Sequence, residues 1–298
     1  MTILATASTR ILVQGITGRE AATFTAESIA YGAKIVAGVT PGKGGSSIHE
    51  IPVYDTVGEA VGAHAIDATV ISVPPPFALD AVCEALAHGI KLLVVVTERV
   101  PRRDVVTMLE YAARAGAHII GPNTLGVISP GQTRVGMAGG SADAVRRAYL
   151  PGHVGVVSRS GGMMTEIANL LTQAGIGQST CVSIGGDPII GSTILDLLPF
   201  YEADHDTHAL VLFSEPGGVM EERLAAAVEQ HKPRLPIIAF VAGRFADQMQ
   251  NVRFGHAGTI VQGSQGSPAA KIARLREAGI LVASKLYQIP EMVREAMQ

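Results

Sequence analysis

The sequence predicts an α/β protein made of two parallel-sheet domains in tandem. Three observations carry this reading. Short apolar runs rich in Val, Ile and Leu recur along the 298 residues; helix-length stretches with apolar residues at three- and four-residue spacing lie between them; and a Gly- and Pro-punctuated stretch interrupts the series midway. Regular alternation of buried strand and amphipathic helix is the pattern of a doubly wound parallel sheet.

Taken in order, residues 11–13, 34–39, 69–73, 92–97 and 118–120 read as strands, and 77–88 and 105–115 as helices between them. The pattern lapses over 129–151, which is the natural place for a connection. The expected layout is therefore a domain over 1–130, a connection over 131–150 and a second domain over 151–298, with the boundary near Pro151. The second series places strands at 154–157, 179–184, 209–213, 237–241 and 280–283.

Composition narrows the function. Lys+Arg 23 against Asp+Glu 26 leaves a net charge of −3, without the basic field that tracks a phosphate backbone, so nucleic acid is not an expected partner. Cys83 and Cys181 are too few for a disulfide framework or a thiolate metal site, and fit a reducing compartment. The N-terminus carries no long apolar segment, and no apolar run approaches the roughly 18 residues that span a bilayer. A cytoplasmic protein without a membrane partner is expected.

Two glycine loops follow strands. The first, Gln14-Gly15-Ile16-Thr17-Gly18-Arg19-Glu20, turns into a helix whose exposed amides suit a phosphate. It is not the complete dinucleotide fingerprint, and the acidic ribose ligand expected about 20 residues on is replaced by a segment containing Lys43. A lysine there favours phosphate, either the 2′-phosphate of NADP or the ribose phosphate of coenzyme A. The second loop is Ser158-Arg159-Ser160-Gly161-Gly162, where Ser160 can cap a helix and Gly161 allows close approach of an anion. The first loop and the Lys43 segment also read as plain tight turns of an α/β fold.

His256 sits between small residues in Gly255-His256-Ala257-Gly258, leaving its imidazole open to a large group. The other eight histidines, at positions 49, 64, 88, 118, 153, 205, 208 and 231, fall in polar loops or at element ends, where solvated or capping roles suffice. Glu215, at the carboxyl edge of the sheet, can accept the imidazole N–H and leave the other nitrogen free to attack phosphorus. Its plainer role is an acid at the following helix N-terminus. Gly185-Gly186-Asp187-Pro188 forms a third glycine turn at the same edge, which Asp187 can simply close.

The motifs QGITG, GVTPGKGG, VVVTE, GPNTLGVISPG, VGVVSRSG, GQSTCVSIGGDPI and GHAGTI occur in that order over nearly the whole chain. With them the chain resembles the alpha subunit of succinate–CoA ligase, or succinyl-CoA synthetase. The resemblance implies a Rossmann-like coenzyme A-binding domain followed by a flavodoxin-like ligase domain. It implies coenzyme A contacts at Thr17, Gly18, Arg19 and Glu20, at Lys43, and at Val96, Thr97 and Glu98. It implies phosphorylation of His256, orientation by Glu215, and steadying of the phosphate by the helix that Ser160, Gly161 and Gly162 begin. A nucleotide and magnesium site is expected on an ATP-grasp beta subunit, because this chain has no P-loop and no acidic metal pair; ATP and GTP both remain open.

Three segments depart from the family's pattern. Thr165 stands where the family has a tyrosine associated with the organic acid, the stretch 243–253 before the histidine is less basic and slightly longer, and GPNCPG becomes GPNTLG around Asn123. Thr165 and Asn123 are thus candidate acid-binding residues. The expected activity is an ADP- or GDP-forming ligase making an acyl-CoA of the succinyl type through phosphohistidine, with malate, citrate or another polar acid as the alternative. A dinucleotide-dependent oxidoreductase leaves Glu215 and His256 unused, and a non-catalytic CoA-binding subunit has no need of them.

Overall fold

A computed structural model of the chain describes residues 3–243, 256, 259 and 266–298. Strands β1 (Arg10–Gln14), β2 (Lys34–Val39), β3 (Ser47–Ile48), β4 (Ile51–Tyr54), β5 (Ala68–Ile71), β6 (Leu92–Val95) and β7 (His118–Ile120) form one sheet in the order β3-β4-β2-β1-β5-β6-β7. All neighbours are parallel except β3 and β4. Helices α1 (Arg19–Tyr31), α2 (Val57–Ala63), α3 (Ala78–Ala87) and α4 (Arg102–Ala115) make the crossovers. Every residue of β5 and β6 is buried, as expected of strands covered on both faces, which explains their uninterrupted apolar runs. Strand order reverses at β1, so a crevice opens beyond the carboxyl ends of β1 and β5.

The second sheet comprises β8 (Gly126–Ser129), β9 (Thr133–Gly136), β10 (Pro151–Ser158), β11 (Gln178–Ser183), β12 (Ala209–Ser214), β13 (Ile237–Val241) and β14 (Leu281–Val282). Its order is β14-β13-β12-β10-β11-β8-β9. The parallel strands alone run β11-β10-β12-β13-β14, the flavodoxin-like arrangement, whose switch point lies between β10 and β12. Helices α5 (Ala142–Ala148), α6 (Gly161–Gln173), α7 (Ile194–Ala203), α8 (Met220–His231), α9 (Pro268–Glu277) and α10 (Ile289–Ala296) complete this unit. Among the described residues, no helix is long and apolar enough to cross a membrane.

The fold class agrees with the sequence. The stretch expected as a connection, 131–150, holds β9 and α5, and β8, expected in the first domain, pairs antiparallel with β11 of the second. Its Gly and Pro residues punctuate a hairpin rather than a linker. The crossing between sheets is instead the short segment 121–125.

The two units share a core, in which Ile11, Val13 and Ile120 of the first belong to the same apolar cluster as Val127, Val157 and Val182 of the second. Polar contacts tie α1 to the β9–α5 region. The Glu27 carboxylate accepts the Ala142 amide at 2.7 Å, buried Arg134 donates from Nε to Ser28 Oγ at 3.1 Å, and Ser28 in turn donates to the Gly136 carbonyl at 3.2 Å. These contacts fix α1 against the second unit.

Candidate active site

The β1–α1 turn is built on Gly15, whose φ of +81° and close approach exclude a side chain: a Cβ would lie 2.2 Å from the Ser72 carbonyl oxygen. Gly18 is the N-cap of α1 and supplies no side-chain cap, so the first-turn amides stay available and carry the helix's partial positive charge outward. Thr17 instead reaches sideways, its hydroxyl donating to Thr40 Oγ1 at 3.2 Å. Strands β5 and β6 end earlier than the apolar runs suggest. Ser72, Val96 and Thr97, just beyond these strands, form wall, and the Thr97 hydroxyl donates to the Val73 carbonyl at 2.8 Å.

In the second unit, Ser160 is the N-cap of α6 and its hydroxyl accepts the Met163 amide at 3.4 Å. Gly161 lies hard against Leu125 of the inter-sheet segment, where a Cβ would come within 2.2 Å of Cγ. Glu215 follows the carboxyl end of β12 immediately, and His256 Nδ1 lies 2.8 Å from Glu215 Oε2 and 3.0 Å from Oε1. The pair is largely shielded, with side-chain exposures of 30% for His256 and 15% for Glu215. Thr259 closes a turn beneath it, its amide and hydroxyl both donating to the His256 carbonyl, at 3.1 and 2.7 Å.

The electrostatics follow from this geometry. The Glu215 hydrogen bond raises the His256 pKa above the ordinary histidine value, partial burial opposes it, the Glu215 charge adds to the rise, and the Arg159 cation works against it. Nδ1–H bonded to a carboxylate is the tautomer that leaves the Nε2 lone pair free in the neutral ring. Glu215 therefore leaves Nε2 as the free nitrogen of the neutral ring and favours positive charge on the imidazole.

One cavity of about 690 Å³ joins the two units. It is lined by Gly18, Arg19 and Glu20 at the start of α1, Val96, Thr97 and Glu98 after β6, Asn123 between the sheets, Ser160, Gly161 and Gly162 at the start of α6, and His256. Eleven of the fifteen expected site residues thus share one cavity of a size that holds a cofactor-scale ligand. Two helix N-termini face it, one from each unit, which suits anions at both ends. Uncapped α1 amides beside Arg19 fit the phosphates of coenzyme A, and the cavity gives a long ligand a path from there to His256.

Four expected residues stand outside the lining. Glu215 acts through His256. Thr17 bonds Thr40, and Lys43 sits in the exposed loop after β2. Thr165 points away: its hydroxyl bonds the buried Tyr149 hydroxyl at 2.9 Å, on the side of α6 that packs against α5. Asn123 is in the lining, but its amide donates to Asp187 Oδ1 at 3.0 Å. The segment preceding the histidine and its neighbours Gly255, Ala257 and Gly258 lie outside the described residues. Among the described residues no cluster of His, Cys, Asp and Glu could hold a metal ion.

Sequence reasoning missed Gly186. A Cβ there would lie 2.3 Å from Cδ2 and 2.5 Å from Cγ of His256, so its backbone forms a flat wall against the imidazole face. The Gly-Gly pair was the only signal, and it reads as a turn until the ring is seen beside it.

Residues 6–99 match the family model of the CoA binding domain, and residues 151–295 that of the succinyl-CoA ligase like flavodoxin domain. The ADP-forming succinate–CoA ligase subunit alpha 1 of Archaeoglobus fulgidus is 44% identical over 296 residues, spanning 99% of this chain and 98% of that protein. A subunit of the ADP-forming sulfoacetate-CoA ligase of Bilophila wadsworthia is 38% identical, covering 99% of each chain. Among solved structures, Methanosaeta concilii ATP citrate lyase in complex with (3S)-citryl-CoA superposes with a TM-score of 0.90 at 28% identity, over 99% of this chain and 50% of that one. The chain thus spans about half the length of the lyase. With a CoA binding domain, a ligase-type flavodoxin domain and full-length identity to alpha subunits, the chain belongs to the succinate–CoA ligase alpha-subunit family of CoA ligases.

Proposed function

We propose that this chain is the alpha subunit of an ADP- or GDP-forming carboxylate–CoA ligase in which His256 carries the phosphoryl group between nucleotide and acid. The hydrogen bond from His256 Nδ1 to Glu215, inside a cavity that reaches the start of α1, carries this reading. Nε2 attacks the terminal phosphorus of the nucleotide, the bridging P–O bond breaks, and the nucleoside diphosphate leaves. A carboxylate oxygen of the acid then takes the phosphoryl group as the N–P bond breaks, giving an acyl phosphate. The thiol sulfur of coenzyme A, losing its proton, attacks the acyl carbon and releases inorganic phosphate. Splitting the transfer at His256 avoids a collision of three substrates.

The chain's residues divide this work. Glu215 holds the proton on Nδ1 throughout, so that the ring is neutral and nucleophilic when it attacks and is stabilised when it bears the phosphoryl group. Amides at Gly161 and Gly162, at the helix end that Ser160 caps, serve the phosphoryl oxygens, where a fixed positive helix end needs no rearrangement as charge develops. Thr17, Gly18, Arg19, Glu20, Lys43, Val96, Thr97 and Glu98 hold coenzyme A, its phosphates at the start of α1. The nucleotide and its magnesium belong to an ATP-grasp beta subunit, the partner that likeness to alpha subunits implies.

Succinate is the acid of the first reading. A second, that the same chemistry serves malate, citrate or another polar acid, is favoured by Thr165 bonding Tyr149 and by relatives named for sulfoacetate and citrate. The test is incubation of the complex with labelled ATP and GTP and a panel of acids with coenzyme A, comparing wild type with His256→Asn. Acid-labile label on the wild type alone, discharged by one acid plus coenzyme A, is the expected result. No label on His256 with either nucleotide overturns the reading.

A further inference from the structure

Arg159 is a half-buried cation that the reaction just described does not use. It follows β10 at the switch point, its backbone amide donating to the Phe213 carbonyl at 3.2 Å. Its Nη2 donates to the Asp187 carbonyl at 3.1 Å and approaches the Gly186 carbonyl at 3.5 Å. The same turn is held from its other side. The Gly186 amide donates to the Asn123 carbonyl at 3.1 Å, and the Asp187 carboxylate, on a residue 8% exposed, accepts from the Asn123 amide at 3.0 Å. Gly186 is the wall against His256, so Arg159 and Asn123 clamp that wall from both sides.

We propose that Arg159, with Asp187 and Asn123, is a positioning residue for His256, fixing the Gly186 wall that sets the plane of the ring while Glu215 sets its edge. An imidazole held only by one Nδ1 bond can still rotate about its χ2 torsion and sweep Nε2 through an arc. A second constraint on the ring face removes that freedom, and placement within a fraction of an ångström is what in-line attack requires. Arginine suits the task because both carbonyls are reached by the one Nη2 at the tip of a long, planar group, a reach and geometry that the shorter lysine ammonium does not reproduce.

The charges around the ring are compatible with this role. His256 faces Glu215, Asp187 and Arg159, and Arg159 itself faces Glu215, Asp187 and Glu221. Burial lowers the Arg159 pKa from its ordinary value, a shift that leaves a guanidinium charged at neutral pH, and the three carboxylates oppose it. The guanidinium is therefore a fixed charge, which Arg159→Lys retains while it withdraws the reach of Nη2 to the turn.

The proposal rests on His256 being the phosphoryl carrier, so the test has two readouts. In the full chain, NMR of the His256 ring nitrogens reports the tautomer and titration midpoint. In the complex with the beta subunit, rapid quench reports phosphorylation by labelled nucleotide. Arg159→Lys is expected to slow phosphorylation about ten- to a hundredfold, with a mixture of ring tautomers replacing the single Nδ1–H form. Arg159→Met is expected to lose at least as much, and in a Gly186→Ala background either change adds little, because the wall is already displaced. A folded Arg159→Lys protein with one tautomer and a rate within about twofold of wild type overturns the proposal, as do losses that multiply with Gly186→Ala. If wild type takes no label, the carrier reading fails instead, and the tautomer measurement still decides the role of Arg159.

Discussion

Replacing Gly186 with alanine tests the wall against His256 directly. The new methyl carbon would sit 2.3 Å from His256 Cδ2, whereas ordinary contact begins near 3.4 Å, so the ring must recoil by about 1.1 Å. The Nδ1–Oε2 bond, at 2.8 Å, can lengthen by only about 0.7 Å before it ceases to be a hydrogen bond. The recoil exceeds that slack. Losing a bond to a charged acceptor removes about 1.5–3 kcal/mol of orientation from the ring, and a misplacement near 1 Å costs about a hundredfold in rate. Stability should change by less than about 1 kcal/mol, because His256 is part exposed and can turn outward without overpacking the core. The assay is single-turnover phosphorylation from labelled nucleotide in the complex, with a thermal melt of the same protein. A folded Gly186→Ala protein phosphorylated within about twofold of the wild-type rate, with its His256 titration unmoved, would refute the reasoning.

Two further outcomes follow from the same geometry. Glu215→Gln removes the main cause of the raised His256 pKa, so the pH midpoint for phosphorylation, which needs the neutral ring, should move down, while the limiting rate falls about ten- to a hundredfold; a pH–rate series checks both. The sign for stability is the reverse. The Glu215–His256 pair stabilises the fold fully below the ordinary histidine pKa of about 6.5 and loses that contribution as pH rises through the raised folded value, which Glu215→Gln should abolish in melts taken across that window. Away from the site, Lys271 is fully buried, bonding the carboxylate of Glu221 and, at 3.2 Å, that of Glu222. Lys271→Met strands the buried Glu221 charge and should cost about 3–5 kcal/mol in denaturant unfolding, largely recovered by adding Glu221→Met.

What was legible in the sequence was whatever is local or periodic. The alternation of buried runs and amphipathic stretches gives both parallel sheets, and a glycine turn after β1 marks a helix N-terminus without needing its neighbours. The approach of Glu215 to His256 was legible too, because a carboxylate at a strand's carboxyl edge and a sterically open imidazole are unusual residues for their places. Long-range relations were not. The hairpin of β8 and β9 is two four-residue strands among glycines, and only pairing with β11, far along the chain, makes it part of a sheet. The wall at Gly186 shows only when another segment lies on it. Thr165 was read as an acid-pocket residue from its place in a motif, yet on the helix it turns to Tyr149 instead. Lys43 keeps to its predicted loop, but the lining begins with the α1 residues rather than with it.

The hairpin has a practical corollary for anyone dissecting the chain. Val127 and Ile128 cover the outer margin of β11 by pairing with Val182 and Cys181, so the flavodoxin-like sheet has no bare margin there. A fragment cut at residue 150 would uncover a flat row of unpaired amides and carbonyls beside Cys181 and Val182, the kind of template on which strands of separate molecules stack. Beginning the fragment at the inter-sheet segment keeps that margin sheathed, and such a piece should clump less than the shorter one.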